Sequence, residues 1–146
     1  MVSTVVLVAD ELVDRQPRDQ LARSLARVAY ESAKHRRVWV VGPPGLVPAS
    51  PPEGGAWEHA ESLSDLPPLA AGRGSTVLVV GGRPERSIRW ANRHRLKSVL
   101  VVPEPGEDQQ PGSLDEAPDF VLESVEDVLG LIRRIEREEG DFEGTE

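Results

Sequence analysis

Three unbroken runs of branched apolar residues constrain this chain more than anything else in it. Residues 3–9 (STVVLVA), 76–80 (TVLVV) and 98–102 (SVLVV) are each of strand length and show no alternation of polar and apolar positions. A strand with one wet face alternates, so an unbroken run belongs to a strand covered on both faces, as in a parallel sheet. Helical stripes separate the runs. Pro17 suits a first helical position, and Leu21, Leu25, Val28, Ala29 and Ser32 share one face of a helix ending near Lys34. A second helix is expected from Pro84 to about His94. A third follows Ser124 and Asp127, spaced as a capping box, with Val125, Val128, Leu129, Ile132 and Ile135 on its apolar stripe.

Weaker signals fill the remainder. Residues 38–41 read as a short strand stopped by Gly42-Pro43-Pro44-Gly45, because proline has no N–H for a ladder. The stretch 46–74 is rich in Pro, Gly, Ala and Ser; it holds one strand-like fragment near 57–60 and a short helix at 62–66 closed by Pro67-Pro68. Residues 120–122 add a short strand. Strands alternating with helices imply right-handed crossovers and a mainly parallel sheet, hence a three-layer Rossmann-like α/β sandwich. Ligands of such sheets lie beyond the carboxyl ends of the strands, which here means residues 10–14, 42–45, 81–85 and 103–106.

A length of 146 residues suits one domain, placed at 1–135, and the acidic stretch 136–146 (EREEGDFEGTE) reads as a flexible, solvated tail. No run approaches the roughly 18 apolar residues of a membrane span, and the first residues lack a secretory signal, so a cytoplasmic, soluble protein is expected. The absence of cysteine removes thiol chemistry and thiolate zinc sites. A net charge of −8 argues against nucleic-acid and anionic-membrane partners. The helix after residue 83 does carry Arg86, Arg89, Arg93 and Lys97 at helical spacing, which reads as a solvated basic face with Glu85 supporting Arg89, or else as a surface for an acidic partner; Trp90 is its one aromatic, too little for base stacking. His35, His59 and His94 stand apart with no metal spacing, and Trp39 and Trp57 read as core or rim.

Two places remain for chemistry. Asp10 and Glu11 follow the first strand, either as ordinary loop acids or as functional carboxylates. Gly81-Gly82 makes a tight strand-to-helix turn, serving either close backbone approach alone or anion binding by the helix start together with Arg83.

The segment VLVVGGRPERSIRWANRHRLKSVLVVPEPG resembles the last catalytic segment of haloacid-dehalogenase-like (HAD) phosphatases, in which a strand leads into Gly-Asp, a short spacer and Asp-Ile. VVLVADELVD resembles that family's opening strand and aspartate, and APDFVLESVEDVLGLI its closing strand and helix. The resemblance implies a HAD-like fold without a large cap domain. It further implies Asp10 as the catalytic nucleophile, magnesium held by Asp10, Asp14 or Glu85 where the chain is active, and Gly42, Gly81, Gly82 and Arg83 around a phosphate. The catalytic letters depart from the pattern. Gly82 and Ser87 replace the two metal-holding aspartates, Leu12 stands two residues after Asp10, and Gly42 replaces a hydroxyl. The alternative alignment makes Glu11 the second acid and puts Ala9 in the nucleophile's place. No lysine lies between Arg37 and Arg95, which leaves Arg73 or Arg83 as the cation.

An intact frame with missing acids favours a domain that has lost phosphatase chemistry and acts as a binding or interaction module. Its partners would be another protein, a second copy in a homodimer, or a small phosphorylated ligand. One alternative is a divergent magnesium-dependent phosphohydrolase acting on a phosphate monoester through Asp10. The other is a receiver-like or flavodoxin-type signalling module, suggested by the acidic ending of VVLVADE.

Overall fold

The structure is a computed structural model and describes residues 2–12, 18–34, 36–43, 57–67, 69, 76–102 and 114–143. Six strands form one sheet: β1 (Val2–Val8), β2 (Arg37–Val41), β3 (Glu58–Ala60), β4 (Thr76–Gly81), β5 (Lys97–Val101) and β6 (Phe120–Leu122). Their spatial order is β3-β2-β1-β4-β5-β6, and every neighbouring pair is parallel. The chain winds outward from β1 in one direction and then from β4 in the other. A crevice therefore opens between the carboxyl ends of β1 and β4, the reversal point where such sheets take ligands.

The strand runs are unbroken because both faces of the sheet are covered. Val5 and Leu7 of β1 join a core with Leu21, Leu25 and Val28 of α2 (Arg18–Ala33) and Val128, Leu131 and Ile132 of α4 (Asp127–Glu143). Val6 and Val8 point the other way, into a second core with Val77, Val79, Ala91 and Leu96 that Trp39, Leu63, Leu66 and Trp90 border. Trp57 is buried in the first core. The expected three-layer α/β sandwich is thus the observed one, with all strands parallel.

Local differences have local causes. The first strand ends at Val8, and Ala9–Leu12 form a helical turn, α1, where a loop was expected. The short helix at 62–66 is a 3-10 turn, Leu63–Asp65. After Arg83 the chain makes a π-helical turn, Pro84–Ile88, with proline in its first turn, and continues as α3 (Arg89–Arg93). Lys97 does not extend the basic stripe, because Arg95 adopts φ +58° and reverses the chain. The Leu96 N–H donates to the Ala91 carbonyl at 2.9 Å and the Arg95 N–H to the Asn92 carbonyl at 3.1 Å, a Schellman motif with arginine in the left-handed position. Ser124 and Asp127 cap α4 as their spacing indicates: the Ser124 N–H donates to Asp127 Oδ2 at 3.2 Å, and Ser124 Oγ accepts from the Glu126 N–H at 3.4 Å. α4 then runs to Glu143, through the stretch expected to be a tail from Glu136. Glu136 is held by Arg36, whose Nη2 lies 2.6 Å from its Oε1.

Candidate functional site

Glu11 is the centre of the β1–β4 crevice. The α1 turn directs its side chain inward, and the residue has no solvent exposure. Its Oε1 accepts three hydrogen bonds, from the Gly82 N–H at 3.2 Å, the Arg83 N–H at 2.8 Å and Ser87 Oγ at 2.6 Å. Burial pushes this carboxyl above its ordinary range and Asp10 adds to the rise, while Ser87, the Arg83 N–H and Arg86 pull it down. Burial prevails because it disfavours the charged form, and only one carboxylate oxygen receives donors. Glu11 Oε2 is buried and has no partner.

Glycine at position 81 makes this contact possible. A Cβ there would lie 1.9 Å from Ser87 Oγ, 2.7 Å from Ser87 Cβ and 3.0 Å from Glu11 Oε1. The two ends of the turn can therefore close only over a hydrogen atom. The π-helical turn carries Ser87 to the carboxylate, and its hydroxyl lies 3.4 Å from the Arg83 carbonyl as well. The pair of N–H groups expected to receive a ligand anion at Gly82 and Arg83 thus receives an anion of the protein itself.

Asp10 lies at the rim. Its Oδ2 is 3.6 Å from Arg86 Nη1, and its Oδ1 is buried without a partner. The Gly42 N–H, expected to be open to a phosphate oxygen, instead donates to the Ala60 carbonyl at 2.9 Å. Gly42 is required on other grounds: its φ is +151°, and a Cβ would come within 3.3 Å of the Asp10 nitrogen. His59 bonds the Gly42 carbonyl through Nε2 at 2.7 Å, so it braces the same corner. Glu85 is exposed on the π-helical turn. Asp14 and His35 lie outside the described residues, as do 44–45 and 103–106 of the expected loops. Among the described residues no group of three or more His, Asp or Glu side chains could hold a metal ion.

The basic stripe is matched by acids. Arg86 meets Asp10, Arg89 meets Glu116 and lies 3.7 Å from Asp115, and Arg93 lies 3.0 Å from Asp115. Apart from Asp10, the partners come from the turn Leu114–Glu116 rather than from Glu85. His94 turns Nδ1 to the Trp90 carbonyl at 2.7 Å and packs against the Trp90 ring.

The burial of Glu11 was the feature that sequence reasoning did not single out. Its signals were the place of Asp10 and Glu11 after the first strand and the alternative alignment that made Glu11 the second acid. No helix among the described residues is long and apolar enough to cross a membrane. No protein-family model matches the chain, and neither a curated protein nor a solved structure matches it.

Proposed function

We propose that this chain is a HAD-like domain without phosphatase chemistry that serves as a binding or interaction module. The observation that carries the reading is Glu11 Oε1 seated on the Gly82 and Arg83 N–H groups and on Ser87 Oγ. A reacting phosphate needs donors free to follow its developing charge. Here the donors at the reversal point are spent on a fixed internal carboxylate, with Ser87 where the resemblance calls for a metal-holding acid.

Magnesium fits the described residues poorly. Glu11 and Asp10 do leave two buried oxygens without partners, which is the feature that favours the phosphohydrolase reading. Against it, Arg86 already places a positive charge beside Asp10, Glu85 is exposed, and the Ser87 hydroxyl donates to Glu11 instead of offering a ligand.

The deciding assay compares wild type with Asp10→Asn on p-nitrophenyl phosphate with magnesium, each protein first shown to be folded. Neither protein is expected to turn over. Magnesium-dependent hydrolysis that disappears in Asp10→Asn would establish the phosphohydrolase and overturn the module.

A further inference from the structure

Near the amino ends of the strands, away from the Glu11 crevice, the end of α2 and the middle of α4 flank a half-open groove. It has a volume of about 360 Å³ and is lined by Glu31, Lys34, Arg36, Leu129, Ile132 and Arg133. That volume is at the lower end of the range of small-molecule sites, roughly 300–1,000 Å³. Leu129 and Ile132 give it an apolar floor continuous with the core. The rest of the lining is three cations and one carboxylate, Glu31, on a chain whose net charge is −8.

The ionic accounts of the groove do not balance. Lys34 Nζ is 3.2 Å from Glu31 Oε2, and Arg36 Nη2 is 2.6 Å from Glu136 Oε1. Arg133 is exposed and has no ionic partner among the described residues. Among the described residues three cations thus face two carboxylates, leaving one positive charge over an apolar floor. A carboxylate is the acceptor that matches the planar fork of an accessible guanidinium such as that of Arg133.

We propose that this groove binds a small amphipathic monocarboxylate, its head held by Arg133 and its apolar body on Leu129 and Ile132, beside Lys34 and Arg36. A single negative charge cancels the surplus, whereas a phosphate dianion would leave one charge uncompensated in a partly desolvated site. The site stands apart from the crevice and does not depend on whether that crevice is catalytic.

The test is a methyl NMR titration of the full chain with hexanoate, run beside acetate, which lacks the body, and hexanol, which lacks the charge. Hexanoate is expected to move the Leu129 and Ile132 methyl signals saturably, with a dissociation constant on the order of 1 mM for so small a ligand. Acetate and hexanol should move them far less at the same concentrations. Arg133→Glu, at an exposed position whose unchanged methyl spectrum would report an intact fold, should weaken hexanoate by about tenfold or more, since it reverses the free charge. Hexanol binding as well as hexanoate, an affinity indifferent to Arg133→Glu, or shifts that do not saturate by about 20 mM would each overturn the proposal.

Discussion

Two polar clusters clamp the sheet at opposite ends, and they treat buried polar atoms differently. At the carboxyl ends of β1 and β4, one oxygen of Glu11 takes three donors and the other takes none. At the amino ends of β5 and β6, Asn92 and Ser98 leave little unmet. Asn92 Nδ2 donates to the Asp115 and Ala117 carbonyls, both at 2.9 Å, and Asn92 Oδ1 accepts from Ser98 Oγ at 3.0 Å. Asp119 Oδ2 accepts from the Ser98 N–H at 2.9 Å, and the Asp119 N–H returns a bond to Ser98 Oγ at 3.0 Å. The second cluster ties strands and turns together with matched donors and acceptors. The first holds a carboxyl whose charge is opposed by its own burial, an arrangement that a purely structural clamp has no need of.

The sharpest way to break the first cluster is Gly81→Ala. The new Cβ would fall on Ser87 Oγ and Cβ, and Ser87 is buried on a helical turn that cannot swing aside. A loss of at least about 3 kcal/mol is expected in chemical denaturation, an overpacking cost combined with a broken hydrogen bond to a charge. Stability within about 0.5 kcal/mol of wild type would mean that the Glu11–Ser87 contact does not hold this end of the sheet.

The matched cluster should be broken by Asn92→Ala at a smaller cost. Two carbonyls lose a donor, but the Ser98 hydroxyl keeps Asp119 Oδ2 at 3.3 Å, so about 1–2 kcal/mol is expected in the same measurement. A cost equal to that of Gly81→Ala would erase the distinction between the two ends.

Acid sharpens the comparison because the first cluster contains a raised carboxyl. Glu11 holds its proton more tightly folded than unfolded, so its contribution to stability is full below the unfolded carboxylate range and lost as pH rises through the native value. Glu136 has the opposite sign. Burial pushes it upward, yet the hydrogen bond and charge of Arg36 bring it below its ordinary range. Its contribution is present above the unfolded range and lost as pH falls through the native value. Denaturation midpoints across pH should therefore rise less on acidification from neutral in Glu11→Gln than in wild type. In Glu136→Gln the fall at the acid end should be shallower. Superimposable profiles for wild type and Glu11→Gln would show that burial does not control this carboxyl.

The strands were readable before the structure because β-branched runs without alternation have few other uses, and the α4 cap was readable because Ser124 and Asp127 act locally. What escaped depends on distant partners. Periodicity does not say which of two adjacent acids turns inward, and Glu11 is chosen by Gly82, Arg83 and Ser87, about seventy residues on. The Gly42 N–H was expected to be open because its acceptor, Ala60, ends a strand in the least legible stretch. Charge alone marked residues from Glu136 onward as tail, since nothing local announces Arg36, a hundred residues earlier.

The place where α3 ends was readable, but the way it closes escaped for a different reason. Helices that close with a left-handed residue usually place glycine there, and glycine is the signal a reader of sequence looks for. This chain has Arg95 at φ +58°, with Leu96 closing the motif onto the Ala91 carbonyl and both residues buried in the second core. The bonds and the apolar contact hold a conformation that the arginine Cβ resists. The Arg95 side chain is exposed, so replacing it removes little packing. Arg95→Gly should therefore stabilise the protein by roughly 0.5–1 kcal/mol, the relief of left-handed strain less the added freedom of glycine in the unfolded chain. A gain in the denaturation midpoint would place the strain at this turn. A loss would mean that the arginine makes contacts that outweigh its backbone cost.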